Sequence, residues 1–134
     1  MTAPDERSSL FRQGLEIRRQ VLGDAYVDRA LKGADALGGP LQELVTEYCW
    51  GKVWGREGLS RRDRSLLNLG MLAALNRPHE LRLHTMGAIR NGLTPEEIAE
   101  VVQQVAIYCG VPAAIDSLRA VREGLADASD GGGA

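Results

Sequence analysis

Both histidines of the chain fall inside one short stretch, Asn76-Arg77-Pro78-His79-Glu80-Leu81-Arg82-Leu83-His84, beside two arginines and a glutamate. An imidazole titrates near neutral pH and can move a proton, a guanidinium grips a carboxylate in bidentate fashion, and a carboxylate can orient the imidazole or relay its proton. Pro78 is well placed as the first residue of a helix, where its missing N–H has no intrahelical partner to lose. On that helix Arg77, Glu80 and His84 share one face. His79 is turned away from His84 by about 140°, since five residues advance roughly 100° each. The zinc-protease pattern needs histidines at i and i+4, whereas these stand at i and i+5, so no metal site is expected.

Each of these groups also has a plain structural reading. His84 precedes apolar Met86 and Ile89 and could be a satisfied core histidine. Glu80 and His84 could form a surface pair worth a few tenths of a kcal/mol. Arg18-Arg19 and Arg61-Arg62 could be solvated faces or contacts between subunits. Cys49 and Cys109 are far apart and form no C-x-x-C, so they are read as reduced packing residues, a type that is usually buried.

The elements that must hold this stretch read as helices throughout. Ser8 or Ser9 caps a helix to about Leu22, and Gly23 stops it. Asp24 opens a second helix that runs on through Leu37, before Gly38-Gly39-Pro40 breaks it. The third, from Pro40 to about Trp54, carries three of the chain's six aromatic residues, Tyr48, Trp50 and Trp54. It reads as a core or contact helix, or as a pocket wall from which Glu43 or Tyr48 reaches a ligand. Ser60-Arg61-Arg62-Asp63 is a capping box, and the helix from Arg61 to Leu75 is apolar almost all round, which predicts burial. Pro78 to about Arg90 follows, closed by Asn91-Gly92. Thr94-Pro95-Glu96-Glu97 starts a sixth helix to Gly110, and Pro112 begins a last one. No stretch alternates with period two, so the fold class is all-α.

At 134 residues the chain is expected to be a single domain spanning 1–134, with mobile tails at 1–8 and 127–134. A formal net charge of -2 gives no general attraction to nucleic acid or anionic lipid. Neither a membrane-length apolar run nor a signal-type leader is present, so a cytoplasmic place is expected.

Five motifs together resemble the carboxymuconolactone decarboxylases, within the superfamily that also holds AhpD-type alkylhydroperoxidases. They are Arg18-Arg19-x-Val21-Leu22-Gly23-Asp24; Gln42-Glu43-Leu44 with Tyr48-Cys49-Trp50-Gly51 and Trp54; Arg64-Ser65-Leu66-Leu67-Asn68-Leu69; the Asn76 to His84 stretch; and Tyr108-Cys109-Gly110-Val111-Pro112-Ala113-Ala114. The resemblance implies an AhpD-like fold of about six to seven helices around a central helical hairpin and a homo-oligomer, commonly a hexamer built as a trimer of dimers, while high Ala, Arg and Gly usage suits a bacterial source. The peroxidase relatives keep two redox cysteines where this chain has Arg77 and Glu80, followed by a histidine at the position of His84. Neither Arg77 nor Glu80 can attack a hydroperoxide.

What the resemblance implies chemically is cofactor-independent loss of CO2 from gamma-carboxymuconolactone, giving beta-ketoadipate enol-lactone in protocatechuate catabolism. The lactone carbonyl is the electron sink, so no cofactor and no metal are called for. Candidate roles follow: His84 or His79 as general acid, Glu80 or Glu43 orienting it, and Arg77 binding carboxylate with Arg64 or Arg82 as helper. Tyr48 and Trp50 complete the substrate-binding set. The competing readings are a dithiol peroxidase and a non-catalytic helical assembly module.

Overall fold

Side-chain caps fix where the helices start. The Ser8 hydroxyl accepts from the Phe11 N–H at 3.0 Å and opens α1 (Ser9–Leu22), and Ser60 accepts from the Asp63 N–H at 3.0 Å to open α4 (Arg61–Ala74). Thr94 and Glu97 exchange the two bonds of a capping box at the head of α6 (Pro95–Cys109). Proline stands in the first turn of α5 (Pro78–Arg90) and of α7 (Val111–Ser129). A computed structural model of the chain describes residues 7–130, and these are all-α, the class the resemblance implies. Residues 1–6 and 131–134 of the expected tails lie outside the described residues. Inside them, α7 is helical through Ser129, and Asp127 pairs with Arg82.

The chain divides into two compact units, residues 1–59 and 60–134. In the first, α1 packs on a π-helix (Val45–Val53), and the core holds Phe11, Ile17, Val21, Leu22, Val27, Trp50 and Trp54. α2 (Asp24–Lys32) is shorter than the reading to Leu37. The Asp35 carboxylate accepts from the N–H groups of Gly38 (2.8 Å) and Leu37 (3.1 Å), which folds the backbone into a turn instead of a further helical turn. These bonds, Gly38 first, hold the Asp35 carboxyl below its ordinary pKa. The single helix expected from Pro40 to Trp54 is two: α3 (Gly39–Leu44) runs into the π-helix, whose wider turns close from i to i+5, as in the Trp54 N–H bond to the Cys49 carbonyl at 3.0 Å.

The second unit has its own core of Leu69, Ala73, Leu81, Ala88, Leu93, Ile98, Val105, Ala114, Ala120 and Val121. Here α5 packs on α7, with α4 and α6 alongside. α4 is not buried all round as its composition predicts. Ser65, Leu69 and Ala73, spaced four apart, face the core, while Leu66, Leu67, Met71 and Leu75 are exposed. The neighbouring helices cover only one of its faces. The two cysteines also depart from expectation: both are free, as predicted, but exposed and not packed in a core. Among the described residues no helix is long and apolar enough to cross a membrane.

Candidate functional site

In the second unit the stripe Arg77, Glu80 and His84 spans sharply different surroundings. His84 is part-buried, and its Nδ1 stands 3.2 Å from Nδ2 of Asn68 on α4. Burial pushes its pKa down to about 4, because a charged ring there would lose its water. At neutral pH His84 is therefore a neutral imidazole. Arg77 is exposed at the N-cap of α5, and its Nη1 donates to the carbonyls of Leu75 (2.9 Å) and Asn76 (3.4 Å) just beyond the end of α4. It thus sits between the last carbonyls of α4 and the unpaired N–H groups of the first turn of α5, where an anion is favoured. Glu80 is exposed one turn on.

His79 belongs elsewhere. It lines a 340 Å³ cleft with Asn76, Arg82, Asp116, Arg119 and Glu123. Arg82 is held there by its own carboxylates: its Nε and Nη2 donate to the two oxygens of Asp127 at 2.7 and 2.9 Å, and Nη1 donates to Glu123 at 3.0 Å. The pairing raises the Arg82 pKa and lowers that of Asp127, each chiefly through their mutual hydrogen bonds. As a helper for substrate carboxylate, Arg82 would first have to leave two acids. Arg64 is part-buried on α4.

The first unit carries the remaining candidates. Trp50 is buried and stacks on Trp54 with ring centroids 4.8 Å apart, while Tyr48 is nearly half exposed. Glu43 lines a 680 Å³ cleft with Arg7, Phe11, Leu31, Asp35 and Gln42, and its Oε1 lies 3.9 Å from Arg7 Nη2. Below them Arg18 is buried, donating from Nη1 to the Thr46 hydroxyl at 3.1 Å. Burial lowers its pKa, partly offset by Tyr26 and Cys49. Cys49 is exposed as a residue, yet its thiol is partly screened from water, and this raises the thiol pKa against the opposing charge of Arg18. A thiol held protonated is a poor nucleophile.

Asn68 and the Arg18–Thr46 pair were not among the residues singled out from the sequence as a site. Asn68 did leave a signal, being a lone amide within the apolar run Leu66-Leu67-Asn68-Leu69, a position where an amide needs a partner. Among the described residues no group of three or more His, Cys, Asp or Glu side chains is arranged to hold a metal.

Residues 39–123 match the carboxymuconolactone decarboxylase family. The chain is 46% identical over 123 residues to the nitrosuccinic acid decarboxylase of Metarhizium robertsii, covering 92% of this chain and 86% of that protein. It is 36% identical over 117 residues to the 4-carboxymuconolactone decarboxylase of Acinetobacter baylyi, covering 87% of each. A shorter match, 45% over 38 residues, links it to the 4-carboxymuconolactone decarboxylase of Pseudomonas putida, across 28% of this chain and 79% of that protein. With a match across most of its length and relatives that are decarboxylases by name, the chain belongs to the carboxymuconolactone decarboxylase family and is a carboxy-lyase.

Proposed function

We propose that the protein decarboxylates gamma-carboxymuconolactone to the enol-lactone of beta-ketoadipate, without cofactor or metal, as a cytoplasmic homo-oligomer in the breakdown of protocatechuate. The observation that carries this reading is the match over residues 39–123 together with the two relatives that bear that enzyme's name. In the reaction the bond from the gamma carbon to its carboxylate breaks heterolytically. CO2 leaves, the electron pair passes through the ring double bond onto the lactone carbonyl oxygen, and a proton is then added at the alpha carbon.

A second reading is favoured by the higher identity, 46%, to a nitrosuccinic acid decarboxylase. Nitrosuccinic acid is likewise a dicarboxylic acid with a sink of its own. Loss of CO2 from the carbon bearing the nitro group leaves the pair on the nitro oxygens, and protonation of that carbon completes the reaction.

Both readings ask the same work of the chain. Arg77, with donors of the first turn of α5, binds a carboxylate. His84, neutral when the site is empty, donates a hydrogen bond toward the oxygen on which charge collects. A dianion beside it raises its pKa and allows it to deliver the proton. Glu80, His79 and Glu43 are the remaining candidates for proton traffic, and Arg64, Tyr48 and Trp50 for substrate contact. Supplying the purified protein separately with freshly generated lactone and with nitrosuccinate, and measuring CO2 release, tests the assignment. Release from the lactone alone supports the first reading and release from nitrosuccinate alone the second. No release above the spontaneous rate from either would sink both.

A further inference from the structure

We infer that the 680 Å³ cleft of the first unit is a binding site for a small uncharged molecule that carries a carboxamide on an apolar body, the carboxamide facing Arg7 and Gln42. This site belongs to the first unit, whereas Arg77 and His84, the groups given the chemistry above, belong to the second.

Two polar atoms call for a ligand. Nε of Arg7 and Oε1 of Gln42 are both shut off from water, and among the described residues neither has a hydrogen-bond partner. One is a donor and the other an acceptor, and both side chains line this cleft. Most buried polar groups are paired, so a donor and an acceptor left over in one cleft mark a place where a partner is wanted. The Arg7 guanidinium is nevertheless held, lying 4.3 Å from the centroid of the Phe11 ring. Its approach to Glu43, 3.9 Å from Nη2 to Oε1, is too long for a hydrogen bond and leaves the guanidinium able to take another acceptor. The Gln42 backbone is engaged, its carbonyl accepting from the Thr46 hydroxyl at 2.7 Å, while the side-chain amide can turn about its last bond into the cleft.

The charges decide which chemical group fits. Arg7 supplies a positive charge, and Asp35 and Glu43 supply negative ones. A carboxylate ligand meets two groups of its own sign and brings no donor to Gln42. An ammonium ligand competes with Arg7 for Glu43 and brings no acceptor to the Arg7 Nε. A carboxamide has an acceptor oxygen, N–H donors and no charge, and it satisfies the Gln42 amide whichever way that amide is turned. Oδ1 of Asp35 already accepts from the N–H groups of Gly38 and Leu37, so it holds the turn that carries Ala36 into the wall instead of competing for the ligand. Leu31, Ala34 and Pro40 give the apolar wall for the body of the ligand, and the volume falls within the range of small-molecule sites, about 300–1,000 Å³.

The test is a two-dimensional NMR titration of the full chain, labelled with nitrogen-15, using three probes of similar shape: benzamide, benzoate and benzylammonium. Benzamide is expected to shift the backbone signals of Phe11 and Leu31 and the side-chain amide signals of Gln42, with a dissociation constant on the order of 1 mM, ordinary for a ligand of so few atoms. The two charged probes are expected to bind roughly 10-fold more weakly. Gln42→Met and Arg7→Met keep the bulk of each side chain, and each should weaken benzamide about 10-fold, the loss of one hydrogen bond. Ala34→Leu, which fills the cleft, should abolish binding. Absence of benzamide binding up to about 20 mM, or binding that leaves the Phe11, Leu31 and Gln42 signals still, overturns the inference. So does a charged probe that binds as tightly as benzamide, or unchanged benzamide affinity in either methionine variant. Because the readout is binding and not turnover, failure here leaves the carboxy-lyase reading standing, and failure of CO2 release leaves this site standing.

Discussion

A Cβ placed on Gly14 would lie 1.9 Å from the carbonyl oxygen of Thr46, so α1 and the π-helix meet backbone to backbone at this point. One turn further along α1, Arg18 donates to the Thr46 hydroxyl at 3.1 Å. The two residues lie on one face of α1 and fix the start of the π-helix, the first by absence of a side chain and the second by a hydrogen bond.

Gly14→Ala is therefore expected to destabilise the protein by about 3 kcal/mol, within the range of overpacking at an unyielding contact. Gly70 on α4 is the contrast, because a Cβ there meets nothing within 4 Å. Gly70→Ala should stabilise by roughly 0.5–1 kcal/mol through helix propensity. Urea unfolding of the two variants beside the wild type checks both signs.

Thr46→Val removes a hydroxyl that accepts from Arg18 and donates to the Gln42 carbonyl at 2.7 Å. Leaving a buried guanidinium short of a partner is expected to cost on the order of 2 kcal/mol. Thr46→Ser should restore most of it. Equal stability of Val and wild type would show that the buried arginine does not need this bond.

His84 makes stability depend on pH. Its ordinary pKa of 6.5 applies in the unfolded chain, and burial lowers it to about 4 in the folded protein. Between these values the unfolded state binds the extra proton, so stability is full above pH 6.5 and is lost as pH falls toward 4. The loss is on the order of 3 kcal/mol at the 1.36 kcal/mol per unit of linkage. His84→Gln should flatten this part of the stability profile measured by thermal melting across pH.

Arg77 is exposed, so Arg77→Ala should leave folding nearly unchanged while lowering kcat/KM about 100-fold, with Arg77→Lys between them. Cys49→Ser and Cys109→Ser should leave CO2 release as it was, which a dithiol mechanism could not tolerate. Activity assays on the four variants, checked by circular dichroism for fold, separate a carboxylate-binding arginine from a merely structural one.

Leu66, Leu67, Met71 and Leu75 form an exposed apolar strip on α4. In the proposed homo-oligomer a second copy covers it, and Leu67→Glu with Met71→Glu is expected to shift the sedimenting species toward the monomer. Wild-type protein should sediment as a hexamer and, if 1–134 is one domain, melt in a single transition. A monomeric wild type would dispose of the oligomer.

Much of the helical layout was legible in the chain. Ser8, Ser60 and Thr94 mark helix starts through local hydrogen bonds, and Gly23, Gly92 and Gly110 sit at helix ends with positive φ. These signals act over a few residues, so the sequence displays them directly. The π-helix was not legible, because its widening depends on what α1 presses against it. The exposure of half of α4 was not legible either, since composition gives the number of leucines but not how many faces a neighbour covers.

The same division runs through the site. From the sequence alone came the cluster of Arg77, His79, Glu80 and His84 and the mismatch with zinc-protease spacing, both consequences of spacing on one helix, whereas the expected shared face applies only to Glu80 and His84 on α5, since Arg77 stands at its N-cap with non-helical backbone. Spacing already turned the two histidines apart, and tertiary structure decided what each one meets, placing His79 in a cleft with Arg82 and Glu123 and His84 in a part-buried contact with Asn68. It also decided that His84 is neutral, because the pKa of an imidazole is set by the water it loses and the partner it gains. Both come from residues distant in sequence, which spacing along one helix cannot reveal.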